Sequence, residues 1–174
     1  YEGHGIQPDV KIEPEILSTI TVHLYAQNMI FKYANKFYRE HKTIAPPEEF
    51  EITDEIYNDF VNFVEEQDFS YTSESEKDFE ELIKTAKLEG YYDNIKEQLD
   101  VLEKELRSHK DNDLINNKEE ISEILKMEIV GRYYFQKGKI ISSLKDDPEL
   151  NRAVEILLDS NGENEYENIL KGVN

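Results

Sequence analysis

Catalysis at a protein site needs a nucleophile with a base, a carboxylate pair across a cleft, or a cluster of metal ligands. The chain offers each only in scattered form. Its four histidines, His4, His23, His41 and His109, fall in separate stretches, and none belongs to a His-Glu-x-x-His pattern that would set two imidazoles on one helical face. There is no cysteine, which removes disulfides, thiol catalysis and Cys-ligated metal. Asp111-Asn112-Asp113 and Asp159-Ser160-Asn161-Gly162-Glu163 have the oxygen-rich composition of calcium loops, which take ligands at alternate positions, a Gly at the sixth and a Glu at the twelfth. The first lacks the Gly and the second has it at the fourth position, so both read as polar turns. Ser142 and Lys145 make one Ser-x-x-Lys match, without a Ser-Asp-Asn or Lys-Thr-Gly companion, and read as a chance pairing near a helix end. Tyr133-Tyr134-Phe135, close to Arg132 and Lys137, combines stacking surface with cations. Three consecutive aromatics on a helix point in three directions, so core plus interface is the better reading than a nucleobase platform. The expectation is a chain with no catalytic, cofactor-binding or metal-binding residue.

Composition narrows the partners. The formal charge is -19, which repels phosphate backbones and anionic bilayers, so nucleic acid is not expected as a partner and the charge reads as a solvated surface. No stretch approaches the about 20 apolar residues of a membrane span, and no signal peptide opens the chain. With 38% hydrophobic and 34% charged residues, and only seven Gly and five Pro, the chain fits a thin helical bundle and lacks the punctuation of many short strands.

The elements follow from periodicity. Residues 1–13 differ from the rest: two Gly, a Pro-Asp pair and the alternating Val10-Lys11-Ile12 read as a turn and one short strand, whose backbone donors need a sheet elsewhere. Pro14 marks the boundary, with residues 14–174 as the helical domain and 160–174 as a polar tail. Ile20, Leu24, Phe31, Ala34 and Tyr38 predict one long helix from Ser18 to about Lys42, its stripe widened by Met29, Ile30, Tyr33 and Phe37. Ile44-Ala45-Pro46-Pro47 breaks it. Thr53 is the expected N-cap of a helix burying Ile56, Phe60, Phe63 and Val64, and Ser73-Glu74-Ser75-Glu76 is a capping box for a helix burying Phe79, Leu82, Ile83 and Ala86 that stops near Gly90. Ile95, Leu99, Leu102 and Leu106 repeat as in a helix packed along another, and the polar stretch Ser108 to Asp113 suits a hairpin turn. A helix from about Asn117 to Leu144 follows, with Glu128 four residues before Arg132 for a weak surface pair. Gly131 and Gly138 lie inside it; each costs about 1 kcal/mol against Ala, so they either admit a close neighbouring backbone or mark a bend. Asp147-Pro148 opens a short helix with Leu150, Ala153, Val154, Leu157 and Leu158, and a last turn is expected around Tyr166 to Leu170. The fold class is all-α: a multi-helix bundle with long helical hairpins, preceded by a short extended stub. Wide apolar stripes on the helices at 18–42 and 117–144 call for cover beyond one neighbour, from a further domain or a homodimer partner.

The stub Gly3-His4-Gly5-Ile6-Gln7-Pro8-Asp9-Val10 resembles the Gly-x-Gly-Ile-x-Pro-Asp-Val segment near the end of the catalytic core of bacterial carboxy-terminal processing proteases, also called tail-specific proteases. Ala26-Gln27-Asn28-Met29-Ile30-Phe31, Ile44-Ala45-Pro46-Pro47, Tyr71-Thr72-Ser73-Glu74-Ser75-Glu76, and Ile129-Val130-Gly131-Arg132-Tyr133-Tyr134 with Leu144-Lys145-Asp146-Asp147-Pro148 resemble the long helical extension of one branch of that family. The resemblance implies a periplasmic or cell-envelope parent enzyme with an export signal, a PDZ-like peptide-binding domain, and a serine nucleophile activated by a lysine base of lowered pKa. In that family both residues lie upstream of this segment, and no residue here aligns with either. Gly3, Gly5, Ile6, Pro8, Asp9 and Val10 are then a structural motif, residues 1–13 the trailing strand of a protease core, and the helical domain a non-catalytic accessory that positions, gates or oligomerises the enzyme, with the upstream core and PDZ-like domain as its partners. The competing reading is an independent acidic helical module that binds another protein.

Overall fold

The computed structural model describes residues 5, 8–14, 16–159, 162 and 164–172, and among them all regular structure is helical. Ser18 caps α1 (Thr19–Ala26), its hydroxyl accepting from the Thr21 amide. The run expected as one helix from Ser18 to Lys42 is two. Asn28 takes a left-handed conformation at φ 60°, and α2 (Met29–Glu40) starts after it, folded against α1. Asn enters that region at little cost, so the break needs neither Gly nor Pro and leaves no trace in the apolar spacing. Thr53 caps α3 (Asp54–Glu66), and Ser73 with Glu76 closes the capping box of α4 (Glu74–Leu88), both as the sequence predicts.

Gly90, at φ 75°, ends α4, with the Tyr91 amide returning to the Ala86 carbonyl at 2.9 Å. α5 (Tyr92–Asp111) then runs back along α4, so the hairpin closes here and not at Ser108 to Asp113, most of which is the last turn of α5. Those polar residues stay helical because their cation is engaged across the hairpin: Lys110 pairs with Glu76 at 2.8 Å and donates to the Tyr71 carbonyl. A short α6 (Asp113–Asn116) leads into α7 (Lys118–Ser143). Asp147 accepts from the Leu150 amide at 2.9 Å to start α8 (Pro148–Leu157), and α9 (Glu165–Lys171) covers the expected last turn.

The core is built by α1, α2, α3 and residues 118–134 of α7. Leu24, Ile30, Tyr33, Phe60, Ile121, Leu125 and Ile129 are fully buried in it. Tyr33 meets Phe60 edge-on at 5.2 Å, and its one hydroxyl proton has two acceptors in reach, Asp59 at 2.9 Å and the Ile56 carbonyl at 3.0 Å, so its polar end is satisfied in the interior. Tyr57, outside the expected apolar face of α3, is buried too; its hydroxyl donates to the Leu114 carbonyl, and burial pushes its pKa up to about 12. Glu120, in the first turn of α7, accepts from the Ser18 amide at 3.0 Å and its hydroxyl at 2.8 Å, tying the start of α1 to α7. Burial raises the Glu120 pKa, but hydrogen bonds from Thr21 and Ser18 outweigh it and leave the carboxyl below its ordinary range.

The strand expected at Val10 to Ile12 is absent from the described residues. Residues 8–14 are irregular, with a bend at Asp9 and Val10, and line one side of a mostly apolar cleft of about 850 Å³ whose other side is α8 and α9. Of the stub, Gly5, Pro8 and Asp9 are exposed and Val10 is half-buried, whereas Gly3, His4, Ile6 and Gln7 lie outside the described residues. In α8 the buried residue is Ile156, while Leu150, Val154 and Leu157 are exposed, as is Leu158 just after the helix.

Candidate functional site: a cationic aromatic face on α2 and α7

Net charge conceals how the charges are distributed. Residues 16–39 contain no Asp or Glu, and none lies between Glu128 and Asp146; conversely, Lys, Arg and His are absent between Lys42 and Lys77. The fold packs the two acid-free segments on each other as α2 and α7. This segregation is legible in the sequence, but only if charge is counted by segment.

The α7 helix is broken at Phe135, whose φ of 58° and ψ of -156° lie in a region that essentially only Gly enters freely. Beyond it, residues 136–143 fold back along the limb 118–134. Gly131 and Gly138 permit the return: a methyl at 131 would overlap the Lys139 side chain, and one at 138 would overlap Tyr134 and crowd Val130. The close neighbours at these glycines are side chains and not the backbone expected, and the bend falls between them, at Phe135.

The return brings Lys139 onto Glu128 at 2.8 Å, opposite the pair that Glu128 makes with Arg132. The Glu128 and Arg132 side chains are only 16% and 13% exposed, so the expected weak surface pair is in fact largely buried. Arg132 also donates to the Glu128 carbonyl at 2.8 Å and to Asn35 Oδ1 at 3.1 Å, and its guanidinium lies 4.7 Å from the centre of the Phe31 ring. Burial raises the Glu128 pKa, but the hydrogen bonds from Lys139 and Arg132 more than reverse this and hold the carboxyl below its ordinary range.

Around this network the consecutive aromatics diverge, as expected. Tyr133 meets Tyr38 edge-on at 4.8 Å and donates to the His41 carbonyl at 2.7 Å, whereas Tyr134 donates to the Ile44 carbonyl at 3.3 Å. Phe135 points outward, 77% exposed, and Phe31 and Tyr38 are about half exposed. Tyr25, Asn28, Phe31 and Glu128 line a small cleft of about 90 Å³. Lys32, Arg39, Lys42 and Lys137 are exposed, and no described carboxylate pairs with them. Lys32 follows Phe31 and Arg39 follows Tyr38 on α2, and Lys137 lies two residues after Phe135, so exposed rings and cations alternate along these segments and can recognise an anionic partner.

The other chemical candidates have structural roles. His23 stacks on Tyr71 at 5.1 Å, and His41 stacks on Phe37 at 4.0 Å. Asp113 accepts from the Tyr71 hydroxyl, Asn112 donates to the Ser108 carbonyl at 2.8 Å, and Asp159 accepts from the Asn164 amide at 2.8 Å. Ser142 is buried and donates to the Lys139 carbonyl at 3.0 Å, while Lys145 reaches Glu51 at 3.4 Å, so the Ser-x-x-Lys residues engage different partners. Lys126, 7% exposed, pairs with Glu51 at 3.0 Å beside a cleft of about 360 Å³ that Ser142 also lines; a hydrogen bond from Lys126 is the main reason Glu51 ionises more readily than an ordinary Glu. Among the described residues no His, Asp and Glu side chains group as a metal site would, and no helix is long and apolar enough to cross a membrane.

Neither the comparison with curated proteins nor that with solved structures gives a match. A family does match, over residues 20–157, from α1 through α8, and its description is "Probable PDZ-protease, C-terminal helical domain". The chain belongs to this family of C-terminal helical domains of probable PDZ-proteases.

Proposed function

We propose that this domain is a non-catalytic accessory of a serine-type endopeptidase that trims unstructured chain ends, its Ser and Lys lying upstream and its setting the periplasm or cell envelope. Residues 1–13 belong to the edge of the protease core in this reading, and 14–174 position or gate the enzyme or join its copies. The observation that carries it is the family match across the helical bundle; the likeness of Gly3 to Val10 to a processing-protease segment supports the finer assignment. The placement of Ser142 and Lys145 on different partners favours a catalytic pair elsewhere.

The test compares this chain with the full-length protein on an unfolded peptide substrate. Cleavage by the full-length protein and none by the chain alone is expected; turnover by the chain alone overturns the proposal. Replacing the upstream serine with Ala should abolish cleavage in the full-length protein, and retention of activity would remove the serine-type assignment while leaving the domain's family intact.

A further inference from the structure

We infer that the exposed aromatic and cationic side chains of α2 and of α7 from Arg132 onward, with Phe135 as anchor, dock an anionic polypeptide segment that also carries apolar side chains. The inference goes beyond the protease reading and stands whichever catalytic group the parent uses.

Charge argues first. In a chain of net charge -19, Lys32, Arg39, Lys42 and Lys137 are exposed without a described carboxylate partner, although the base-free stretch from Thr43 to Glu76 supplies many carboxylates on neighbouring elements. Other cations of the core do engage that stretch: Lys36 reaches Asp59 at 2.8 Å and Lys126 reaches Glu51 at 3.0 Å. Lys32 and Arg39 are the chain neighbours of Phe31 and Tyr38 on α2, Lys42 follows the His41 whose carbonyl receives the Tyr133 hydroxyl, and Lys137 lies two residues beyond Phe135. Phe31 is 52% exposed, Tyr38 48% and Phe135 77%.

Backbone conformation argues second, and independently. Phe135 holds a large apolar ring in water on a backbone that Gly would adopt without strain. Neither cost serves the turn, which a Gly would make better. Such outliers concentrate at ligand clamps and switch regions.

The occupant follows from the contrast between this face and the rest of the molecule. Electrostatic screening acts over about 8 Å at physiological ionic strength. A narrow chain segment lying on the face therefore responds to its cations and little to the distant acids. A flat anionic bilayer, or a second copy carrying the same charge of -19, brings opposed acidic surfaces together as well.

Fluorescence anisotropy on the 174-residue chain tests this, with a fluorescein-labelled peptide of alternating Glu and Leu as the probe. We expect binding that weakens as salt rises, and at least about tenfold weaker binding of peptides with Lys in place of Glu or Ser in place of Leu. Lys42→Glu combined with Lys137→Glu should weaken the probe's binding about tenfold. Phe135→Gly should weaken it about fivefold while raising the thermal midpoint, a combination that misfolding does not produce. Equal binding of the Lys peptide, absence of binding, or unchanged binding by Phe135→Gly overturns the inference. So does preference for phosphatidylglycerol vesicles, or a dimer in sedimentation that the charge-reversed variant dissolves.

Discussion

Two parts of this molecule have the same kind of amphipathic sequence and very different interiors. In the core, α2 lies between α1, α3 and α7, and most of its apolar side chains lose contact with water. In the hairpin of α4 and α5 each helix has one principal partner, the other. Only Phe79, Ala86 and Leu99 are buried there, while Leu82, Leu88, Tyr91, Val101 and Leu102 stay exposed. A two-helix layer has one seam, so of the spacing Ile95, Leu99, Leu102 and Leu106 only Leu99 is buried, Ile95 and Leu106 are half-buried and Leu102 stays exposed. Periodicity reports which face turns inward; the number of neighbours decides what that is worth.

The largest effect expected from this difference is at the core aromatics. Phe60→Ala should cost about 3–5 kcal/mol, because a fully buried ring touching Tyr33 and Tyr57 leaves a cavity that neighbours on several helices cannot fill. Leu99→Ala in the hairpin should cost about 2 kcal/mol or less, since its surroundings can close toward solvent. Urea unfolding of both variants measures this. Equal costs would mean that the hairpin is as tightly supported as the core.

Next comes the Glu128 network, where the core holds charge. Glu128→Gln should cost about 2–3 kcal/mol at neutral pH, as Arg132 and Lys139 would lose a shared, largely buried counter-ion. Its folded pKa lies below the unfolded value, so the stabilisation is complete above about pH 4.3 and fades as pH falls through the folded pKa. The gap between parent and variant should therefore narrow on acidification below about pH 4. A gap that stays constant down to low pH would show that the cost is one of shape and not of charge.

Gly138→Ala probes the same return by packing alone. The added methyl would overlap Tyr134 and crowd Val130, at a cost of about 1–3 kcal/mol in thermal unfolding. Gly90→Ala on the hairpin has open space around it, so its cost of about 1 kcal/mol would come from the left-handed backbone alone.

Local chemistry was well written in the sequence. Thr53, Ser73 with Glu76, and Asp147 with Pro148 cap helices at the predicted places, because a cap needs only its own few residues. The break at Asn28 was hidden, and so was the position of the one at Phe135, since one residue with positive φ changes the direction of a helix without disturbing the apolar repeat on either side. Burial of Glu128 and Arg132 was hidden for a related reason: their i, i+4 spacing is also that of a surface pair, and the return of Lys139 across the break is what encloses them. The cationic face could have been found by counting charge along the chain, where 16–39 and 129–145 stand out by their lack of acids.

The smallest effect is expected where core and hairpin meet. Lys110, on the last turn of α5, donates to the Tyr71 carbonyl, pairs with Glu76 at 2.8 Å and lies over the Tyr71 ring at 4.7 Å, while Tyr71 stacks on His23 of α1. Lys110→Met keeps the length of the side chain and removes its charge, and should cost about 1 kcal/mol. The informative quantity is where that cost appears. If the hairpin is a unit clasped to the core at its base, amide exchange should accelerate across 74–111 and remain unchanged in α2 and the first limb of α7. Uniform acceleration would mean that the two regions unfold together, and that the difference in their burial does not divide their stability.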